Sequence, residues 1–328
     1  MSPPRFQNKW AISTVSLGKH PSHTLERKLV AAAKEGFKGI ELVYSDVLGH
    51  AKSNGLSPIE SAELIKTLCG TMQLEVLSLG PLKNFEGNLT VPLSQRLEMA
   101  SEWIRVASAA GTKIMQVPSQ FLSESTGDDS AIIPELQALA DLAAKSGITI
   151  AYEAVAFGRF NSLWQDSLRI VQAVDRPNFG LCLDSFHIHS RIWGDPMAES
   201  GQLANSNLAL KSSMAEFVEK CPRDKLLYMQ LSDAIRFTPP LTPDSPLFEG
   251  LEIKSPQLAW SRSGRPFPLE DTGYFPVVDI AKTWLLDYGW QGWLSIEGFL
   301  KETESESNGP EIMAARARQS IEALYSRL

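Results

Sequence analysis

The sequence predicts an α/β protein that folds as one (β/α)8 barrel over residues 1–328. Three observations support this prediction. Short apolar segments alternate with amphipathic helical segments along the chain, glycine or proline stands at most helix ends, and the alternation repeats eight times. Regular alternation favours a parallel sheet covered by helices. Eight units favour closure into a barrel over an open sheet, and no G-x-G-x-x-G follows any predicted strand.

The predicted strands are short and rich in branched apolar residues. They cover residues 10–17, 39–43, 74–79, 113–117, 148–155, 179–183, 225–231 and 292–296. The predicted helices show apolar residues at helical spacing, as in Leu93, Leu97, Ala100 and Ile104. They cover residues 25–35, 58–68, 92–110, 132–145, 163–174, 208–219, 277–288 and 311–328. Gly36, Gly111 and Gly147 are expected to end three of them.

One segment interrupts this rhythm. Residues 236–275 are rich in proline and lack the periodicity of a separate domain. We therefore interpret the segment as a long loop after strand seven, lying over the C-terminal mouth of the barrel, where long loops often cover an active site.

Composition restricts the classes of function. Residues are 43% hydrophobic and 21% charged, which is typical of a globular protein. A formal net charge of -7 argues against nucleic acid as a partner, because phosphate binding needs clustered cations. Three widely spaced cysteines support neither a disulfide framework nor a zinc ribbon. The start of the chain lacks an apolar signal segment and no stretch is long enough to span a membrane, so we expect a cytoplasmic protein.

Several predicted strands end on an acidic or amide side chain. In such barrels the chemistry lies at the C-terminal ends of the strands. These ends carry Glu41, Glu153, Asp184, Gln230 and Glu297. Acidic groups that converge repel one another unless a cation joins them, so Glu153, Asp184, Gln230 and Glu297 are predicted to ligate a divalent metal. Oxygen ligands favour Mg2+ or Mn2+, with Co2+ or Zn2+ as alternatives. The competing interpretation is that each acid is separately solvated.

These motifs carry a family resemblance. DSFH at residues 184–187 and QLSDAIR at 230–236, together with strands ending on Glu153 and Glu297, resemble the xylose-isomerase-like family of isomerases, epimerases and lyases. The sugar epimerases of that family carry His where this chain has Gln230. Gln230, GIELVYSD and the long seventh loop are similar to the 3-dehydroshikimate dehydratases, including the fungal enzymes of quinate catabolism. The resemblance implies a lyase that converts 3-dehydroshikimate to protocatechuate.

Such a reaction removes a proton α to a ketone and then eliminates a β-hydroxyl group. A metal on the ketone oxygen would stabilise the enolate, and a neutral imidazole could accept the proton. His187 lies three residues beyond Asp184, and we predict that it is the acid–base residue. The alternative is that His187 only orients Asp184.

A carboxylate substrate needs a cation in an otherwise acidic mouth. The family spacing indicates Arg236, and Arg159 and Lys83 are further substrate-binding candidates. Arg265 is a weaker candidate, and for Lys83 and Arg265 a surface ion pair is the preferred interpretation.

Three other functions compete with the dehydratase. A metal-dependent sugar or hydroxy-acid isomerase or epimerase would share the first step, and only Gln230 argues against it. An apurinic endonuclease would need several His ligands and a basic groove. A non-catalytic binding barrel is opposed by the cost of unpaired carboxylates. The expected partner is a small carboxylate substrate, with a homo-oligomer as a further possibility.

Overall fold

The computed structural model describes residues 7–328. Eight parallel strands close into a barrel in sequence order, which confirms the predicted fold class. The barrel strands are β1 (Trp10–Ser13), β2 (Gly39–Val43), β3 (Glu75–Gly80), β4 (Ile114–Pro118), β5 (Thr149–Glu153), β6 (Phe179–Asp184), β7 (Leu226–Leu231) and β9 (Trp293–Ile296). β9 pairs with both β7 and β1, so the sheet has no free edge.

Helices surround this barrel. They are α1 (Leu25–Lys34), α2 (Tyr44–Asn54), α3 (Pro58–Thr71), α4 (Leu93–Ala110), α5 (Asp129–Ala144), α6 (Trp164–Val174), α7 (Ser185–Ile192), α8 (Ser206–Lys220), α9 (Pro256–Ser263), α10 (Val277–Lys282) and α11 (Pro310–Tyr325). α10 continues as a π-helical turn over Thr283–Asp287. No helix in the described part of the chain combines the length and apolarity needed to cross a membrane.

Local signals explain several helix boundaries. α3 begins with a capping box, in which Ser57 accepts from the Glu60 amide and the Glu60 carboxylate accepts from the Ser57 amide, followed by Pro58 in the first turn. α4 ends at Gly111, whose φ of 78° is a left-handed conformation that glycine adopts without a Cβ clash. These boundaries follow the sequence prediction closely.

Three elements differ from the prediction. The first strand ends at Ser13, because Thr14–Leu17 forms a 3-10 turn instead. α2 lies between the predicted strand 39–43 and the helix predicted from residue 58, where no helix is predicted, and Val47, His50 and Ala51 give it one buried face. α7 follows β6 directly and carries His187.

The segment 236–275 also contains regular structure. Ser255 caps α9, which has proline in its first turn and buries Leu258, Ala259 and Trp260. α9 leads into the two-residue strand β8 (Gly264–Arg265), which pairs antiparallel with β10 (Phe299–Leu300) just after β9. The pairing brings the end of this segment against the C-terminal end of the barrel.

Buried side chains form two layers. The larger core lies between the barrel and its helices, and a smaller cluster of Ala11, Leu77, Ala151, Cys182 and Tyr228 packs together separately from it. Side chains alternate across a strand, so residues two positions beyond a member of this cluster face the same side. Glu153, Asp184 and Gln230 stand two positions beyond Ala151, Cys182 and Tyr228. The strand period therefore directs these polar side chains to the C-terminal mouth.

Candidate active site

The floor of the mouth is an acid cluster, a name we use for Glu41, Glu153, Asp184 and Glu297. All four residues are buried, at no more than 8% exposure. Glu153 and Asp184 are the last residues of β5 and β6, Glu41 lies in the middle of β2, and Glu297 directly follows β9. Closure of the barrel therefore brings together Glu41 and Glu297, which lie more than 250 residues apart in the sequence.

Gln230 of β7 joins two members of this cluster, Glu41 and Glu297. Its Nε2 atom lies 3.0 Å from each carboxylate oxygen of Glu41 and 3.1 Å from Glu297 Oε1. Its Oε1 accepts a hydrogen bond from Cys182 Sγ at 3.2 Å. Gln230 therefore presents its nitrogen to the acids, and its oxygen would face them only after the amide turned over.

Arg265 supplies a buried positive charge to the acid cluster. Its Nη2 atom lies 2.5 Å from Asp184 Oδ2 and 2.9 Å from Glu297 Oε2, and its Nε donates to Ser232 Oγ at 3.1 Å. The guanidinium is sandwiched between the rings of Phe186 and Phe299, at 4.5 and 4.6 Å. The side chain is 2% exposed. The preferred sequence interpretation of Arg265 as a surface ion pair is wrong, because the β8–β10 pairing places it inside the site.

Charge is not balanced within this floor. Burial is the largest cause that raises the pKa of Glu153 and of Glu297 well above the usual range. For Glu153 the carboxylates of Asp184 and Glu297 add to the rise, and Arg265 opposes it. Burial also raises the pKa of Glu41, against the hydrogen bonds that Gln230 donates to it. One buried arginine faces four buried acids, so the cluster favours a further cation or bound protons.

His187 borders the acid cluster from the first turn of α7. Its Nε2 atom lies 3.7 Å from Asp184 Oδ2 and 3.8 Å from Glu153 Oε1. Burial lowers the pKa of His187 to about 4, so the ring is neutral near pH 7. The Ala156 amide donates to Nδ1 at 3.1 Å, which leaves the hydrogen of the neutral ring on Nε2. His189, also on α7, packs on Phe275 instead.

A cavity of about 450 Å³ opens above this floor. Its walls are largely aromatic and aliphatic, and Tyr44 stacks on Trp103 with ring centroids 3.9 Å apart. The lining also includes the floor residues His187, Gln230, Arg265, Glu41, Glu153, Asp184 and Glu297, and the further cations Lys19, Lys83 and Arg262. The cavity can hold a small ring with polar substituents.

Of the three predicted substrate-binding cations, the structure brings Lys83 alone to the cavity. Arg159 is exposed, donates to the Ser123 carbonyl and lies against Phe160. Arg236 is exposed and donates to the Glu199 carbonyl. Neither arginine lines the cavity, because each leaves its strand end in a loop that turns outward.

Asp233, which shares the family spacing with Arg236, has a structural position. Its carboxylate accepts hydrogen bonds from the amides of Ala234, Leu269, Tyr274 and Phe275, at 2.8 to 3.2 Å. Asp233 therefore anchors the end of the 236–275 segment to β7.

The donor set of the floor fits a divalent metal. Glu153, Asp184 and His187 each offer one ligand atom, all within 4.8 Å of one another, and all three residues are buried. The two carboxylates fit as they stand. Nε2 of His187 and Oε1 of Gln230 could ligate only after the ring or the amide changed its hydrogen bonds. Glu297 borders the same group through its shared contact with Arg265.

Comparisons with known proteins agree with this geometry. The profile of the xylose isomerase-like TIM barrel family matches residues 29–327. A 3-dehydroshikimate dehydratase of Neurospora crassa is 35% identical over 324 residues, which cover 93% of this chain and 89% of that protein. A protein of the same name from Pseudomonas aeruginosa is 31% identical over 289 residues, covering 88% of this chain and 38% of its own length.

A solved structure shares the fold. A xylose isomerase-like TIM barrel/4-hydroxyphenylpyruvate dioxygenase fusion protein superposes with a TM-score of 0.75 at 26% identity, over 97% of this chain and 43% of that one. The fusion protein and the Pseudomonas relative are thus more than twice as long as the part that this chain matches. By the profile match and the near full-length Neurospora relative, this chain belongs to the xylose isomerase-like TIM barrel family.

Proposed function

We propose that this protein is a 3-dehydroshikimate dehydratase, a lyase that converts 3-dehydroshikimate to protocatechuate and water. One observation carries the proposal: the Neurospora relative of that name matches this chain over 89% of its own length at 35% identity. The cavity supports it, because a single neutral histidine, buried acids, cations and aromatic walls meet there.

The reaction sets clear chemical demands. A base removes the proton on the carbon between the ketone and a hydroxyl-bearing carbon, the hydroxyl group of the β-carbon leaves as water, and loss of a second ring proton gives the aromatic product. The site must therefore hold the substrate carboxylate, move protons beside the ketone and stabilise negative charge on the ketone oxygen.

His187 is the proposed acid–base residue. A ring that carries its hydrogen on Nε2 must first release the Ala156 amide from Nδ1 before Nε2 can accept a proton. Leaving that buried amide unpaired costs about 1–3 kcal/mol. General-base catalysis contributes about 10²–10⁴-fold in rate, or roughly 3–5 kcal/mol. The gain exceeds the cost, so the proposed role is compatible with the observed hydrogen bond.

The acid cluster is the proposed metal site. Glu153, Asp184, Gln230 and Glu297 would hold a divalent ion, and their oxygen atoms favour Mg2+ or Mn2+. Such an ion would act as a Lewis acid on the ketone oxygen. Arg265, already between Asp184 and Glu297, places a second positive charge beside the same oxygens.

The remaining walls orient the ring and exclude water. Tyr44 and Trp103 form one side of the cavity, and Phe157 and Phe299 lie near the floor around His187 and Arg265. Flat apolar surfaces suit a six-membered ring whose product is aromatic.

The test is an absorbance assay with 3-dehydroshikimate. Protein stripped of metal with a chelator should form no catechol chromophore, and added Mg2+, Mn2+, Co2+ or Zn2+ should restore it. An isomerase or epimerase would consume the substrate or a related one without producing a catechol. No chromophore with any of the four ions would refute the proposed function.

A further inference from the structure

Three charged side chains meet at the rim of the cavity, and we call Lys83, Glu252 and Arg262 the rim triad. Lys83 Nζ and Arg262 Nη2 each lie 3.3 Å from the same atom, Glu252 Oε1. One carboxylate oxygen thus marks a point that both cations reach together.

Two different elements of the fold bring Lys83 and Arg262 to the cavity. Lys83 follows β3, where the Leu82 amide is fixed to the Gln116 carbonyl at 2.9 Å. Arg262 is in the last turn of α9, which is anchored by the buried Trp260 and its hydrogen bond to the Ile235 carbonyl at 2.9 Å. Both side chains line the cavity, and Glu252 contacts them at its rim.

Lys83 and Arg262 are the cavity cations best placed to bind an anion. Arg265 is already engaged by Asp184 and Glu297. The other cations that line the cavity, within residues 7–328, are Lys19, Lys83 and Arg262. Of these three cations in the described part of the chain, Lys83 and Arg262 pair with the same acceptor atom. They are therefore arranged for a carboxylate before substrate arrives.

We propose that Lys83 and Arg262 form the subsite for the substrate carboxylate and that Glu252 occupies this subsite until the substrate displaces it. The inference rests on the proposed function, which supplies a substrate with one carboxylate. It identifies a competitor within the chain itself, in the segment 236–275 that carries Arg262.

The contacts of Glu252 suit displacement. Its side chain is 38% exposed, and those of Lys83 and Arg262 are 32% and 44% exposed. Ion pairs with this exposure are weak because water and salt screen them. Only one oxygen of Glu252 contacts the cations, whereas a free carboxylate can present two oxygens to an arginine. An internal competitor reduces the apparent affinity in proportion to the fraction of molecules whose subsite is free.

The test compares steady-state kinetics of metal-loaded full-length variants. Glu252→Gln should lower KM for 3-dehydroshikimate by about threefold to tenfold, the size expected for removing two exposed ion pairs, with kcat within about twofold of the parent. Arg262→Gln and Lys83→Gln should raise KM by about tenfold or more. Glu249→Gln is the matched control, because Glu249 is exposed in the same segment and should leave KM unchanged.

Equilibrium binding gives a readout that does not depend on turnover. Protocatechuate and catechol carry the same diol and differ by one carboxylate, so their difference reports the subsite. Glu252→Gln should tighten protocatechuate binding by a similar factor and leave catechol binding unchanged, and Arg262→Gln should weaken protocatechuate binding alone.

The two proposals fail in different ways. A parent protein without turnover would refute the dehydratase. Turnover with an unchanged KM in Glu252→Gln, or equal effects on catechol and protocatechuate, would overturn the carboxylate subsite. If the protein has no turnover, an affinity for protocatechuate that is the same in the parent and in Glu252→Gln would also overturn the carboxylate subsite.

Discussion

The floor and the rim of the cavity use charge in opposite ways. In the acid cluster, four carboxylates are buried and two of them, Asp184 and Glu297, share Arg265, so each charge depends strongly on its neighbours. In the rim triad, three half-exposed side chains share one weak contact point. Removing a partner from a buried pair leaves a costly unpaired charge, whereas water replaces a partner at the surface. We therefore expect the floor to control chemistry and stability and the rim to control affinity.

The largest expected effect lies beside the floor. His187→Ala and His187→Gln should each lower kcat by about 10²–10⁴-fold, because neither side chain can take up a proton. Steady-state kinetics measures kcat. Titration with Mn2+ measures the metal affinity, which should stay near that of the parent. A Gln variant that retains kcat within about threefold would show that His187 serves only as a hydrogen-bond donor.

Arg265 tests the buried pairing directly. In metal-free protein, Arg265→Gln should lower the free energy of unfolding by about 3 kcal/mol or more, because Asp184 and Glu297 lose their shared cation. Urea unfolding measures this loss. Arg262→Gln, at the rim, should change the same quantity by less than about 1 kcal/mol. Equal losses in the two variants would remove the distinction between floor and rim.

Glu86, a buried acid outside the acid cluster, extends the comparison to pH. Glu86 accepts hydrogen bonds from the Gln120 amide at 2.7 Å and from Tyr152 Oη at 2.8 Å, and burial raises its pKa to about 7. The folded protein holds this proton more tightly than the unfolded chain does. The contribution of Glu86 to stability is therefore present below about pH 4.5 and is lost as pH rises through about 7.

Glu86→Gln should remove this loss. Between pH 5 and 8, unfolding free energies of the parent should fall relative to the variant by up to about 3 kcal/mol. Glu63→Gln, on the exposed face of α3, is the control and should follow the parent. Parallel pH profiles for the parent and the Glu86 variant would contradict a raised pKa.

The smallest expected effect is at Arg236. Because this side chain is exposed and donates to the Glu199 carbonyl, Arg236→Gln should leave KM for 3-dehydroshikimate within about twofold. Steady-state kinetics at saturating metal measures it. A rise of tenfold would return Arg236 to the substrate site and weaken the assignment of the carboxylate to the rim.

Much of the barrel could be predicted from local patterns. The helix stops at Gly111 and the capping box at Ser57 act within a few residues, and the strand-end residues Glu153, Asp184 and Gln230 follow from period-two alternation. The helix α2 was missed because its apolar face is narrow and lies among turn-forming residues. Regular elements carry their own periodicity, so their positions are visible in the sequence.

The cations were harder to place, for a physical reason. Arg236 and Arg265 both lie beyond β7, one in a loop and one in a strand of two residues. Where such side chains point is set by contacts with distant residues, here the β8–β10 pairing and the anchor at Asp233. A signal was available in principle, because four converging acids need a buried cation, yet the sequence does not say which arginine supplies it.

The sequence by itself determined the eight-unit barrel and the acids at its mouth, because hydrophobic periodicity and helix caps act over a few residues. Only the tertiary structure decided that Arg265 lies in the floor, that Arg159 and Arg236 lie outside, and that Glu252 holds Lys83 and Arg262 together. Those outcomes depend on contacts between segments up to 169 residues apart, and no local pattern encodes them.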